Sequence, residues 1–259
     1  MSYEDGTIST LLDQVAIVLV EPKYPENIGA AARVAKNTGI SRLIVVRQEP
    51  PDREKMLKMA THKAADLIDH LEFYPDLASA LADFQVVVAT TARQGRQRRP
   101  PNTPRVVMEK ILPLLTNNKT ALMFGPEHRG LTNDDLKYCH FTSTIPTADF
   151  SSLNLAQAVG IHCHELYHAL LYGTEALSEA VNPKQATTRE MEGMYSHLEE
   201  LLTRIDFLKD NNGENDYWMN SIRKFLGRLG LLSKEVKMIR GFCRQFLWYE
   251  DQQSIKPEE

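Results

Sequence analysis

The sequence predicts an α/β fold, a mainly parallel sheet flanked by helices and followed by a small all-α extension. Three observations carry this expectation. Short β-branched runs alternate with helical patterns over the amino-terminal part of the chain, as βαβ units do. The runs are apolar throughout rather than at every second position, which fits strands buried on both faces under covering helices. Beyond residue 188 no strand-like run appears and the periodicity is helical.

Taken in order, the runs are VAIVLV from Val15, RLIVV from Arg42, QVVVAT from Gln85, TALMF from Thr120 and FTSTIP from Phe141. Helical stretches are expected between them at 26–38 with Gly39 as a stop, at 53–69, 76–83 and 104–115, and at 132–138 behind a threonine cap. A last helix begins near Leu153 and runs to Tyr172, where Gly173 can end it. The segment 174–187 is small and polar and contains Asn182-Pro183, so it reads as a linker between a domain at 1–173 and a helical extension at 188–250. Helices are expected there at 188–209, 215–229 and 233–248, with 251–259 as a flexible tail. Met191, Met194, Leu198, Leu201, Leu202 and Ile205 recur at helical spacing, so the first of them has an apolar face that needs a partner.

Composition narrows the class of protein. With 259 residues, 42% hydrophobic and 25% charged, the chain is neither disordered nor fibrous. Its longest apolar run, Val15 to Val20, is far short of the roughly 20 residues of a membrane-spanning helix, and no signal peptide is expected. Cys139, Cys163 and Cys243 are widely spaced, without a C-x-x-C pair, which points to cytoplasmic residence. The net charge of -4 does not by itself call for a polyanionic partner. The arrangement of charge is more informative: Arg93, Arg96, Arg98, Arg99 and Arg105 fall in a Pro-rich stretch without an acid, and Arg223, Lys224, Arg228, Lys234, Lys237, Arg240 and Arg244 are interrupted only by Glu235.

Ligands of open α/β sheets bind beyond the carboxyl ends of the strands, which directs attention to three loops. EPKYPENIGAAAR at 21–33 presents Asn27 and Arg33 around a helix start, but its single Gly29 is no dinucleotide fingerprint, and no Walker motif occurs in the chain. FGPEHRGLTNDDL from Phe124 places Gly125 and Gly130 on either side of Glu127. IPTADFSSLNLAQAVGI from Ile145 brings Ser151, Ser152 and Asn154 to a helix entry, where free backbone N-H groups can meet a ligand or small hydroxyls can cap the helix.

Together, N-I-G-A-A-A-R at 27–33, F-G-P-E-H-R-G-L-T-N at 124–133 and I-P-T-A-D-F-S-S-L-N-L-A at 145–156 resemble the knotted SPOUT methyltransferases, and within them the TrmJ-type tRNA 2′-O-methyltransferases. The likeness extends through S-K-E-V-K-M-I-R-G from Ser233 and covers nearly all of the chain from Val15 to Trp248. The resemblance implies a trefoil knot at the end of the sheet domain and a homodimer with the active site at the subunit interface. It implies S-adenosylmethionine as cofactor, S-adenosylhomocysteine as product and no metal. The cofactor would lie against Thr90, Thr91, Ala92, Gly125, Ile145, Ser151, Ser152 and Leu153. Methyl transfer to a ribose 2′-hydroxyl of tRNA would use Arg33, oriented by Ser152, with Asn27, Glu127 and Asn154 bracing the loops or the target nucleotide. A charged guanidinium has no acceptor, so Arg33 is either an unusual base or a phosphate clamp. The implied target is the first nucleotide of the anticodon loop, with Arg93, Arg96, Arg98, Arg99 and the basic final helix on phosphates. Pro126 and His128 depart from the family's pattern, in which basic residues are frequent beside Glu127.

A rival pattern is H-E-x-x-H at His164, Glu165 and His168, which puts two imidazoles and a carboxylate on one helix, as zinc hydrolases require. A third ligand would have to come from Glu190 or Glu192. Against it, Leu155, Val159, Leu166 and Leu170 of the same helix read as an ordinary packed face. A third class, an RNA-binding module without catalysis, requires Arg33 or Ser152 to be dispensable.

Overall fold

The structure, a computed structural model, describes residues 2–92, 102–173, 183–208 and 214–254. The chain forms two compact units, Met1–Asn182 and Pro183–Glu259. In the first unit the order is α1 (Ser2–Leu12), β1 (Val15–Val20), α2 (Pro25–Asn37), β2 (Arg42–Val46), α3 (Arg53–Ala60), α4 (Ala65–Asp69), β3 (Glu72–Tyr74), α5 (Leu77–Leu81), β4 (Val86–Thr90), α6 (Pro104–Ile111), β5 (Thr120–Phe124), α7 (Asn133–Leu136), β6 (Phe141–Ser143) and α8 (Leu155–Gly173). The six strands make one sheet of order β3-β2-β1-β5-β4-β6, parallel at every pairing.

The continuous apolar runs have the cause that the sequence implies. All six residues of β1 are buried. Val15, Ile17 and Leu19 point to one face with Leu43, Val88 and Leu122, under Ile28 and Ala31 of α2, Val107 and Ile111 of α6, and Val159 and Leu166 of α8. Ala16, Val18 and Val20 point to the other, with Ile44, Val87 and Met123, under Leu77 and Leu81 of α5 and under Leu131. Alternate residues thus fill two different cores, so the middle of a central strand has no solvent-facing position.

Several expectations need correction. The helix expected at 53–69 is broken: Asp52 caps α3 by accepting from the Glu54 and Lys55 N-H groups, Thr61 takes φ +60°, and a 3-10 turn at His62–Ala64 leads into α4. Met56, Ala60, Ala64, Leu67 and Ile68 all enter the same core, and their spacing is the same for a bent path as for a straight one. The helix expected at 104–115 is α-helical only to Ile111, because Pro113 in the next turn cannot donate and the chain tightens into 3-10 at Leu112–Thr116. Two elements were not anticipated. In β3 only three residues pair, on the sheet edge, and Glu72 there holds Arg42 through contacts of 2.8 and 2.9 Å. In α1, Ile8, Leu11 and Leu12 reach the core from an otherwise polar segment.

The second unit contains α9 (Thr188–Arg204), α10 (Glu214–Gly227) and α11 (Ser233–Ser254). Thr187 and Glu190 form a capping box at the start of α9, and Ser233 donates to the same carboxylate from the start of α11. Met191, Met194, Tyr195, Met219 and Val236 form its core, while Ile205, just past α9, is exposed. Helix α11 continues through Asp251 to Ser254 rather than ending near Trp248, and Asp251 is tied to Arg204 at 2.5 Å. No helix among the described residues is long and apolar enough to cross a membrane.

Candidate active site

Strand order creates the site. From β4 the chain goes to β5 on one side and then returns past β4 to β6 on the other, with Val88 opposite Leu122 and Thr90 opposite Ser143. Loops leaving these three adjacent strands diverge at their carboxyl ends and open a crevice there. The crevice is a cavity of about 260 Å³. Thr90, Thr91, Ala92, Gly125, Ile145, Ser151, Ser152 and Leu153 all line it, as does Glu127. Arg33, Asn27 and Asn154 are not among its lining residues. Arg33 is exposed on α2, and it has no ion-pair partner among the described residues. Arg93, Arg96, Arg98 and Arg99 lie outside the described residues.

Backbone geometry shapes the walls. A Cβ on Gly125 would fall 2.4 Å from the Gly130 carbonyl carbon and 2.4 Å from the Leu131 nitrogen, so only glycine lets the loop fold back on itself. Gly130 turns at φ +67°, and its N-H closes the turn on the Pro126 carbonyl at 2.8 Å. Thr91 N-H donates to the Ser143 carbonyl at 2.9 Å, which carries the β4 to β6 pairing up to the cavity wall.

Asn27, Glu127 and Asn154 join the three loops in a chain of fixed polarity. The N-H groups of Ala156 and Gln157 at the start of α8 donate to Asn154 Oδ1, at 2.9 and 3.2 Å. That cap fixes which way the Asn154 amide points, so its Nδ2 donates to Asn27 Oδ1 at 2.9 Å. Asn27 Nδ2 must then donate onward, to Glu127 Oε1 at 2.5 Å, while the other carboxylate oxygen accepts from the Lys23 backbone N-H at 2.9 Å. Burial opposes ionisation of Glu127, but the bonds from Asn27 and from the backbone outweigh it and hold its carboxyl below the usual range. The same cap explains why α8 starts at Leu155 rather than Leu153.

The neighbouring Arg129 lines the cavity and is neutralised by Glu21 at 2.5 Å, with Asp135 at 3.8 Å. Among the cavity residues that sequence reasoning did not single out are Ser143 and His162, both fully buried. His162 Nε2 and Ser143 Oγ are 2.9 Å apart, His162 Nδ1 is 2.8 Å from the Ala158 carbonyl, and burial pushes the imidazole down to about 4. A signal was present in the sequence: His162 shares the apolar face of α8 with Val159, Cys163 and Leu166, an unusual place for a histidine without a hydrogen-bond partner.

The zinc pattern dissolves into surface chemistry. Arg105 engages Glu165 through Nε at 3.1 Å, so the carboxylate that would serve as base is held by a cation. His164 and His168 are exposed, their rings 6.4 Å apart, and His168 lies against Tyr172 at 4.6 Å. The acids that would complete the site are committed within the second unit, Glu190 to its capping box and Glu192 to a two-pronged pair with Arg223 at 2.5 and 2.9 Å.

Comparison with known proteins agrees with this geometry. The SpoU rRNA Methylase family matches residues 14–164, and the C-terminal domain of tRNA methyltransferase TrmJ matches residues 189–257. The chain is 35% identical over 245 residues to the tRNA (cytidine/uridine/adenosine-2'-O-)-methyltransferase TrmJ of Pseudomonas aeruginosa, covering 91% of this chain and 94% of that protein. It is 32% identical over 235 residues to the tRNA (cytidine/uridine-2'-O-)-methyltransferase TrmJ of Salmonella typhimurium, covering 89% and 95%. The crystal structure of TrmJ from Z. mobilis superposes with a TM-score of 0.75 at 29% identity, covering 89% of this chain and 97% of that one.

Proposed function

This chain belongs to the SpoU rRNA methylase family and carries the TrmJ C-terminal domain, and from that membership we propose that it is a tRNA methyltransferase that uses S-adenosylmethionine to methylate a ribose 2′-hydroxyl, at the first nucleotide of the anticodon loop. The observation that carries this reading is the meeting of the second and third motifs around one cavity, with the first tied to them through Asn27.

The residues present fit the cofactor. Gly125 keeps a wall free of side chain, the floor is apolar apart from the Ser143 and His162 pair, and the rim offers the hydroxyls of Ser151 and Ser152. When bound, S-adenosylmethionine supplies an electrophilic methyl group, and S-adenosylhomocysteine is left. The work of this chain is to place a weak nucleophile in line with that group and to keep water out. Arg33 clamps the phosphate beside the target ribose: it is exposed, it has no ion-pair partner among the described residues, and a charged guanidinium cannot accept the hydroxyl proton. Ser152, which lines the cavity, helps to orient Arg33, while Asn27, Glu127 and Asn154 hold the three loops in register. Because Arg33 does not line the cavity of its own chain, a homodimer in which a second copy supplies it accounts for the arrangement. Membership of the SpoU family supports a trefoil knot at the end of the sheet domain, where the Thr144 N-H, just after β6, donates to the Asn102 carbonyl, just before α6, at 2.9 Å.

Incubation with unfractionated tRNA and methyl-labelled S-adenosylmethionine, followed by digestion and mass spectrometry of the nucleosides, tests the proposal. Label on a ribose oxygen is expected. Label on a base alone, or no label from folded protein, would overturn it, and tight tRNA binding indifferent to the cofactor would mark a binding module instead.

A further inference from the structure

The cavity floor contains a polar pair with a defined direction. His162 Nδ1 lies 2.8 Å from the Ala158 carbonyl, so it carries the ring hydrogen and donates. Its Nε2 therefore has a lone pair, and the hydroxyl that approaches it, Ser143 Oγ at 2.9 Å, must donate to it. The Phe124 ring stands edge-on to the imidazole at 5.4 Å and keeps it in place. The one hydrogen of the Ser143 hydroxyl is thus committed, so the oxygen of this buried, cavity-lining residue is left able only to accept from a ligand group that reaches it.

An acceptor in that position selects a ligand group. Phe124, Leu131 and Leu155, which also line the cavity, are buried, whereas its charged groups, Glu127 and Arg129, are half-buried and exposed. An ammonium placed on this floor would lose its water and find no counter-charge, while a neutral N-H donor on a flat ring would lose little. We propose that Ser143 accepts a hydrogen bond from the exocyclic amine of the cofactor's adenine, and that His162 is the positioning residue that keeps the hydroxyl an acceptor, an assignment that rests on the S-adenosylmethionine reading above.

The test is calorimetric titration of the intact chain with S-adenosylhomocysteine and with its analogue lacking the 6-amino group. Wild type is expected to favour the amine by about tenfold, the worth of one well-made hydrogen bond. Ser143→Ala should bind both ligands alike, and His162→Leu should fall between, because a released hydroxyl turns freely between donor and acceptor. Damage to the cavity as a whole weakens both ligands and leaves their ratio alone, so the ratio isolates the contact. Full preference for the amine in Ser143→Ala, a near-isosteric change that does not depend on the folding of His162→Leu, would overturn the contact; wild-type preference in His162→Leu would overturn the positioning role. Wild-type protein that binds neither ligand would refute the cofactor reading itself, and this inference with it.

Discussion

Glu127→Gln is the most telling single change, because the polarity of its surroundings allows only one arrangement. Two donors converge on the carboxylate, Asn27 Nδ2 on one oxygen and the Lys23 N-H on the other. A glutamine offers one oxygen, so its amide NH₂ must face one of those donors. Turning the Asn27 amide to compensate would set its Nδ2 against Asn154 Nδ2, and Asn154 cannot turn without abandoning the cap of α8. One bond to a charged acceptor disappears, at about 1.5–3 kcal/mol when buried, and partial exposure reduces this to about 1–2 kcal/mol. For a domain of this size that is a fall in Tm of roughly 2–8 °C. Scanning calorimetry would measure it, and methyl transfer should fall in parallel as the three loops lose their common anchor. The double variant Glu127→Gln with Asn27→Asp gives every donor an acceptor again. The glutamine NH₂ donates to one oxygen of the carboxylate introduced at position 27, Asn154 Nδ2 donates to its other oxygen, and the Lys23 N-H meets the glutamine oxygen. Recovery of most of the lost Tm is expected, and a double variant no more stable than the single one would refute the relay.

Arg33→Ala should leave S-adenosylhomocysteine affinity unchanged and cut methyl transfer by about a hundredfold or more, because alignment is lost while the cavity is untouched; near-normal turnover would remove Arg33 from the mechanism. Gly125→Ala must displace the 130–131 backbone that lines the cavity, so cofactor affinity measured by titration should drop about tenfold, and wild-type affinity would show that the loop yields freely. Reversing Arg98 and Arg99 to glutamate should weaken tRNA binding and reduce its salt slope by roughly one unit for each phosphate no longer neutralised, whereas an unchanged slope would place those arginines off the RNA. Acid should destabilise the fold: His162 has its folded pKa lowered from 6.5 to about 4, so its contribution is complete above pH 6.5 and is lost as pH falls toward 4, by roughly 3 kcal/mol. His140, buried and accepting from the Val87 N-H, acts in the same direction. Urea unfolding at pH 7 and pH 4.5 measures the difference, and equal stabilities would refute it.

Local pattern carried most of the architecture. A strand buried on both faces must be apolar at nearly every position, so the β1, β2, β4 and β5 runs declare themselves and with them the layered α/β fold. The motif loops were also legible, because the glycines and small hydroxyls that shape a cavity occur as contiguous text after each strand. Short or polar elements were not: β3 is an edge strand held by Glu72 and Arg42, and α1 offers only Ile8, Leu11 and Leu12 to the core. The break at Thr61 was hidden because both halves keep their apolar residues in phase.

What periodicity by itself determined is which face of each segment seeks a core, since that depends only on neighbours a few residues away. Tertiary structure alone decided which segments meet. Asn27 and Glu127 are 100 residues apart, Asn27 and Asn154 are 127 apart, and they touch because β5 lies beside β1 and β6 beyond β4, an order that the same apolar runs do not specify. The H-E-x-x-H spacing was sound and its chemistry was not, because Arg105, brought from 60 residues away on α6, holds the glutamate. Ser143 and His162 face each other for the same reason: hydrogen-bond partners, unlike apolar faces, are chosen by the strand order that closes the fold.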